Sequence, residues 1–482
     1  MLFNSYEYIL IFLPLSLIVY FILNYSKLTL AAKTWLVLAS LFFYGWWNPK
    51  YLPLIMGSIL FNFAVGGFLV KANNGTGVRK AALVVGVAGN IGLLSYFKYY
   101  DFFISNLNYA TGSNVPLMHI VLPLGISFFT FTQIAYLADT YQGMVTEYGL
   151  INYSLFVTFY PHLLAGPIIH HKEMMPQFDR IKNKILNYKN LSMGLFLLSL
   201  GLFKKVVIAD RFAVWADKGF SHAHLLNFSE AWITTLSYSM QIYFDFSGYT
   251  DMAIGSALMF NIRLPINFNS PYRALNIQDF WRRWHITLSR FLRDYIYIPL
   301  GGNRVSEPHI YGNLLITFLI GGLWHGAGWT FVLWGALHGL AIVVHRWWKT
   351  LGITMPRLLA WFLTFNFVNI TWVFFRGKNF DNAMDVFKGM LGLNGIVLPV
   401  SLTSPFGFLT KYGVKFGDGD WDMTIIASLI IFLVLSILFK NSNQMLDDFN
   451  PSVANMGFTV LLLVTSVFTM GSLRSEFIYF NF

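Results

Sequence analysis

Apolar windows follow one another along almost the whole chain, and no stretch between them is charged or long enough to be a separate water-soluble domain. Only 11% of the 482 residues are Asp, Glu, Lys or Arg, against about a quarter in soluble globular proteins, while 18% are Phe, Trp or Tyr. No solvated surface could absorb that many apolar side chains. A soluble enzyme, a disordered chain and a fibrous chain are excluded, and the expected class is an all-α polytopic membrane protein. The whole of 1–482 is expected to be one integral-membrane domain, with N-terminal spans in 1–110, a motif-bearing core at about 117–345 and C-terminal spans in 346–482.

The net charge of +11 then reports Lys and Arg held at a cytoplasmic face, not nucleic-acid binding. Residues 8–23 are preceded by Glu7 and followed by Lys27 and Lys33 without a small-residue cleavage site, which reads as a retained span and not a signal peptide. The positive-inside bias puts the N-terminus outside, and residues 34–47 and 51–70 alternate back and forth before Lys71, Arg79 and Lys80. Four spans fit up to Phe97. Further windows lie near 117–138, 150–168, 191–209, 231–244, 247–262, 311–323, 327–345, 358–375, 424–439 and 456–473. Several fall short of the roughly 20 residues that a perpendicular crossing needs. Treating those as re-entrant gives about eleven to thirteen true crossings, and their Gly-broken character suggests a cavity. No internal repeat is visible, which disfavours inverted-repeat transporters. The chain has no cysteine, so disulfides, thiolate metal ligands and a thioester on this chain are excluded.

Residues 263–304 carry Arg273, Arg282, Arg283, Arg290, Arg293 and Arg304 against only Asp279 and Asp294, which places them on the cytoplasmic side. Asn276 with Asp279 three positions later is an expected N-cap. Beyond it Ile277, Trp281, Trp284, Leu288, Phe291 and Leu292 recur at helical spacing, which predicts one amphipathic helix. Its arginines suit lipid phosphates at the interface. His285 falls on the apolar face, where an ionisable group is expensive unless it meets a polar partner or an aqueous cavity.

The segment GGLWHGAGWTFVLWGALHG sets His325 between Trp324 and Gly326 in an otherwise uncharged stretch, with His338 thirteen positions on. On a continuous helix those two would point about 220° apart, so they are not expected to be a metal pair. A neutral imidazole in a dry aromatic pocket suits general-base work on a hydroxyl; it equally suits donation to a carbonyl freed by the Gly-rich helix. His338 is expected to be structural. Asp245, Ser247 and Tyr249, in YFDFSGYTD, either line a polar passage or cap a helix broken at Ser247–Gly248. His170 and His171, beside Lys172 and Glu173, are expected in a solvated interface loop. No HExxH, EF-hand, P-loop or GxSxG motif is present, so no metal site or serine hydrolase is indicated.

FNSPYRALNIQDFWRRWHITLSRFLRDYIYIPLGGNR followed by IGGLWHGAGWTFVLWGALHG resembles the bacterial membrane-bound O-acyltransferase (MBOAT) family, in the branch that contains the alginate O-acetyltransferase membrane subunit and its cellulose and peptidoglycan relatives. The resemblance is dense from about Asp245 to Gly339, includes the opening FNSYEYILIFLPL, and is weak after Arg376. It implies a ring of helices with re-entrant and interfacial segments around a central tunnel, with His325 as the catalytic histidine and His285 as the second family histidine. It also implies a bacterial inner-membrane enzyme with no bound cofactor. The donor substrate would be a cytoplasmic acyl-CoA or acyl carrier protein, and an acetyl group would pass to an extracytoplasmic acyl-accepting protein and polysaccharide machinery. On that reading His285, or the indole N–H of Trp281 or Trp324, steadies the developing oxyanion. Arg282, Arg283 and Arg290 hold donor phosphates, Trp281 and Trp284 mark an inner mouth, and Trp324 and Trp329 an outer one. The rival class is a non-enzymatic polysaccharide export channel or transporter, in which the aromatic rings would stack on sugars. A lipid-phosphate glycosyltransferase is disfavoured, because Glu7 and Asp101 are the only acidic residues before Asp139.

Overall fold

The computed structural model describes residues 1–71, 77–145, 149–417, 423–471 and 477–478. The fold is all-α, the one exception among the described residues being a two-stranded parallel pairing of Val397–Leu398 with Lys415–Phe416. Five helical stretches are long and apolar enough to cross a membrane, namely Glu7–Tyr25, Pro49–Lys71, Gly77–Thr111, Tyr188–Ser221 and Arg357–Arg376. Thr29–Gly45, Met423–Leu438 and Val453–Thr469 are shorter apolar helices. The windows expected at 231–244 and 247–262 are a single helix, Phe228–Met259, in which every residue from 237 to 259 is buried. A helix surrounded by protein on all sides can keep polar side chains that a lipid-facing one cannot.

Close approach between helices is set by glycine. The helices Tyr188–Phe203 and Phe228–Met259 run antiparallel with Gly194 against Gly255 and Gly201 against Gly248. A Cβ on Gly201 would stand 2.5 Å from the Gly248 carbonyl oxygen, and one on Gly194 would stand 2.6 Å from that of Gly255. A second seam joins Glu307–His325 to Trp329–Thr350, where a Cβ on Gly335 would meet the Phe318 carbonyl oxygen at 2.4 Å. These glycines make tight helix contacts of the small-residue kind. The same Gly-rich stretches suggested a cavity from sequence, but here most of them close space instead of opening it.

The central helix holds its buried carboxylates in ion pairs. A π-turn at Lys204–Ala209 turns both lysines onto the central helix, where Lys205 bridges Asp210 at 2.8 Å and Asp245 at 2.7 Å. Lys204 meets Asp251 at 2.7 Å and the Ser442 hydroxyl at 2.9 Å. Asp245 also accepts from the Ile478 amide at 2.9 Å. Removing one member of such a pair would leave the other charged and buried, which is far worse than never having had the pair.

The glycine seams make a sharp expectation. Gly335→Ala should lower the thermal midpoint of the purified protein or abolish its recovery, since overpacking costs about 1–3 kcal/mol and here the clash is with backbone. Gly457→Ala, in a helix where an added Cβ meets nothing within 4 Å, should leave the midpoint unchanged or raise it. Equal midpoints for the two variants would contradict the seam.

Candidate active site

The helix Glu307–His325 ends at His325, because Gly326 is extended (φ −162°) and the chain starts a new helix only at Trp329. A helix end inside protein exposes its last carbonyls, which need donors. Lys98 supplies them: its Nζ donates to the carbonyl of Trp324 at 2.6 Å and that of His325 at 3.1 Å, and also to Ser127 Oγ at 3.2 Å. The Tyr99 hydroxyl donates to the Leu323 carbonyl at 2.6 Å. An ammonium here also matches the negative end of the helix dipole. Lys98 and Tyr99 lie in a π-turn, Ser95–Tyr99, just beyond the four expected N-terminal spans. Sequence reasoning passed over them, because nothing in the local pattern links a lysine to a helix more than two hundred residues away.

The imidazole of His325 is 2% exposed and walled by aromatic rings, with centroids of Trp324 at 4.9 Å, Phe375 at 5.0 Å and Trp334 at 5.1 Å. His285 is fully buried with its ring 6.3 Å away, between Phe246 at 4.7 Å and Trp324 at 5.8 Å. The two histidines read from sequence do meet.

How His285 gets there corrects the sequence reading. The amphipathic segment is two short helices, Ile277–Arg283 and Ile286–Leu292, broken at Trp284 and His285. Asn276 caps the first as expected, its side chain accepting from the Asp279 amide at 2.8 Å. His285 takes the left-handed backbone conformation (φ 43°), which is strained for a residue with a Cβ. The break is pinned from outside, since the Asn267 side chain accepts from the Thr287 amide at 3.1 Å and the Ile286 amide donates to the Asn267 carbonyl at 3.0 Å. Periodicity reads apolar positions correctly on both sides of such a break and cannot see the break itself.

The other expected residues divide. Trp324 stands between the histidines, and its indole N–H has no hydrogen-bond partner among the described residues. Trp281 is committed elsewhere: its N–H donates to His338 Nδ1 at 3.2 Å. Because an indole can only donate, His338 must carry its proton on Nε2, which donates to Thr371 Oγ1 at 3.0 Å. His338 is thus structural, as expected, while Trp281 is not available as an oxyanion donor. His325 and His338 lie on separate helices with Trp334 between them, its ring 5.1 Å from one and 4.7 Å from the other. Among the described residues no group of three metal-ligating side chains occurs.

Asp245, Ser247 and Tyr249 neither break their helix nor lead to the histidines. Asp245 is spent on Lys205, Ser247 is buried in the continuous helix, and Tyr249 stacks on Phe477 at 4.3 Å and meets Phe3 at a tilt at 4.9 Å. From this helix it is Phe246 that reaches His285. Trp284 is fully buried against Phe268 and Trp372, so it does not mark a mouth. Trp329 is exposed, with its N–H on Asn106 Oδ1 at 2.8 Å. His170 and His171 are buried, not solvated: His170 Nδ1 lies 2.9 Å from Asp139, and the Tyr295 hydroxyl donates to that carboxylate at 2.6 Å.

Two cavities lie along the helix that ends at His325. One is a narrow crevice of about 20 Å³, room for about one water, lined by Lys98, Ser127, Phe128, Trp324 and His325. The other is a cleft of about 570 Å³ lined by Trp281, Arg282, Arg290, Arg293, Arg346 and Lys349, among others. Arg290 is bidentate on Glu173 at 2.7 and 3.0 Å, and Arg346 pairs with Glu307. Arg283 is held by Asp279 at 2.9 Å and does not line the cleft. Arg282 is exposed there. Thr317 and Phe318 line the cleft and His325 the crevice, so the two open at opposite ends of one helix segment about 12 Å long.

The sequence profile described as MBOAT, membrane-bound O-acyltransferase family, matches residues 10–378. The chain belongs to that family. Peptidoglycan O-acetyltransferase of Helicobacter pylori is 48% identical over all of this chain and 98% of its own length. A probable alginate O-acetylase AlgI of Pseudomonas aeruginosa is 40% identical over 81% of this chain and 75% of its own. Teichoic acid D-alanyltransferase of Streptococcus thermophilus is 27% identical over 53% of this chain and 68% of its own. This MBOAT protein is therefore a multi-pass membrane O-acyltransferase, and the export-channel reading falls away. The profile stops near where the motif resemblance fades, after Arg376, but the Helicobacter relative carries similarity through the C-terminal part as well.

Capping by Lys98 is directly testable. Lys98→Met should destabilise the purified protein by about 3 kcal/mol or more and Tyr99→Phe by about 1 kcal/mol, the usual scale for lost hydrogen bonds with and without a charge. Thermal unfolding in detergent ranks them; a Lys98→Met protein melting with wild type would remove this role.

Proposed function

We propose that this MBOAT protein takes an acetyl group from a cytoplasmic thioester, acyl-CoA or an acyl carrier protein, and delivers it across a bacterial inner membrane to an extracytoplasmic polysaccharide hydroxyl, directly or through an acyl-accepting partner protein. The observation that carries this reading is the pair of cavities at opposite ends of one helix segment, with His325 and Trp324 in the lining of the crevice and His285 beside them. The acetyl group and the carbohydrate acceptor are supported by the names of the peptidoglycan and alginate relatives. The orientation, N-terminus outside, rests on the basic lining of the cleft and on Lys27, Lys33, Lys71, Arg79 and Lys80 falling on one and the same side of the N-terminal spans.

In this mechanism the donor's phosphates lie in the basic cleft against Arg282, with Arg290 and Arg293 nearby, and its thioester reaches the aromatic wall at Trp281 and Trp334. The acceptor hydroxyl comes from the crevice. Its oxygen attacks the thioester carbonyl as His325 takes the proton, and the tetrahedral oxyanion is steadied by the Trp324 N–H or by His285. Collapse breaks the carbon–sulfur bond, and the proton on His325 passes to the leaving thiolate. The acyl group passes from the donor's sulfur to the acceptor's oxygen without resting on this chain, which fits a chain without cysteine.

His325→Ala should insert and purify normally yet retain less than a tenth of the wild-type acyl-transfer rate, because a general base supplies about 10²–10⁴ in rate. Retention of more than a tenth would make the assignment wrong. Arg282→Ala should raise the donor concentration needed for half-maximal rate while changing the saturated rate little, the signature of lost ground-state binding. Steady-state titration of acetyl-CoA reads this, and an unchanged half-saturation would remove Arg282 from the donor site.

A further inference from the structure

A second basic concavity lies well apart from the acyl-transfer centre. It is about 820 Å³ in volume and lies where the helix Tyr188–Phe203 begins and the central helix Phe228–Met259 ends. Arg180, Lys182, Lys189 and Arg263 line it, with Asp447 as the one carboxylate in the lining among the described residues. Asp179, next to Arg180 in sequence, is taken by Lys33 at 2.7 Å, and Asp448, next to Asp447, by Lys440 at 2.7 Å. Its floor is apolar, made of Met193, Ile254, Leu258, Leu264 and Leu446.

The walls are held by amides, so the cations are not needed to hold them. Asn261 sits in the left-handed conformation (φ 63°) and donates to the carbonyls of Asn183 and Ile185 at 3.0 and 2.9 Å, while accepting from Asn190 at 2.8 Å. Gln177 and Arg263 exchange two bonds, the Arg263 amide donating to Gln177 Oε1 at 2.9 Å and Gln177 Nε2 to the Arg263 carbonyl at 2.9 Å. The loop that supplies the cations also carries large apolar side chains pointing outward: Ile181 is 78% exposed, Ile185 64% and Tyr188 75%. Exposed apolar residues interleaved with Arg180, Lys182, Lys184 and Lys189 are what a segment lying in a membrane interface shows, its apolar groups among acyl chains and its cations at headgroup level.

We infer that this concavity is a binding site for the phosphate headgroup of an anionic phospholipid, with the apolar floor receiving the glycerol and upper acyl region. Phosphate is the shared chemistry with soluble phosphate compounds, and the interleaved exposed apolar residues assign it to a lipid. The site is independent of acyl transfer.

The test uses the full-length protein in nanodiscs or detergent, with phosphatidylglycerol and phosphatidylcholine as probes and inorganic phosphate as the soluble alternative. Wild type should bind phosphatidylglycerol in preference to phosphatidylcholine. Lys189→Gln combined with Arg263→Gln should weaken phosphatidylglycerol binding about 10- to 30-fold, the scale for two cations at a charged bilayer surface. Lys378→Gln combined with Lys388→Gln, away from the concavity, should leave it unchanged. Native mass spectrometry counts the bound lipid, and size-exclusion chromatography shows that each variant is folded. Equal lipid binding by the Lys189/Arg263 variant and wild type would overturn the inference, as would equal affinity for the two lipids or full displacement by millimolar inorganic phosphate. Should that double variant not fold, Lys182→Gln alone, at an exposed loop position, should weaken phosphatidylglycerol binding several-fold, and no change would overturn the inference equally.

Discussion

The site depends on a helix that stops inside the protein. In a membrane interior no water is at hand for the carbonyls that a helix end leaves unpaired, so such an end survives only where protein supplies donors. Lys98 and Tyr99 do so for Leu323, Trp324 and His325. With the end fixed, Gly326 and Gly328 turn the chain through a short break, and the Gly322–Gly335 seam packs the next helix back against the first. The position of the His325 imidazole follows from that return. Lys98 also touches the crevice lining, so one side chain ties the chain break to the opening beside it.

The second constraint is the break at His285. A residue held in the left-handed region costs of order 1–3 kcal/mol and persists only where its surroundings over-determine it. Asn267 fixes the backbone on the far side of the break, and Phe246 and Trp324 clamp the ring. The result is two histidines from distant segments held about 6 Å apart among indoles and phenyl rings, with the Trp324 N–H uncommitted among the described residues. Water-poor surroundings of this kind raise the worth of each hydrogen bond to a developing charge.

Much of this was legible in the sequence, and the failures share a cause. The all-α membrane class, the Asn276 cap, the structural role of His338 and the meeting of His325 with His285 follow from composition, local pattern and motif resemblance. What pattern could not give were long-range pairings of single polar residues. From sequence Asp245 reads as a passage residue or a cap and His170 as solvated, whereas Lys205 pairs with the first and Asp139 and Tyr295 close around the second. Trp281 reads from sequence as a candidate oxyanion donor, whereas its N–H is held by His338. Arg283 and Arg290 read from sequence as equivalent to Arg282, but Asp279 and Glu173 hold them, and of the three Arg282 alone is exposed in the cleft. In each case the deciding partner lies on another element, at a sequence distance that no periodicity reports; Arg283, whose partner is four residues away, is the exception, and there helical spacing alone could have found the pair.

The central claim is that His325 is served by two openings on opposite sides of the membrane. Single cysteines placed in this naturally cysteine-free chain, Ser289→Cys in the basic cleft and Trp329→Cys beyond the chain break, can be probed with a membrane-impermeant thiol reagent in sealed vesicles of known orientation. The account predicts labelling of Ser289→Cys from the cytoplasmic side only and of Trp329→Cys from the other side only. Labelling of both positions from the same side would contradict it.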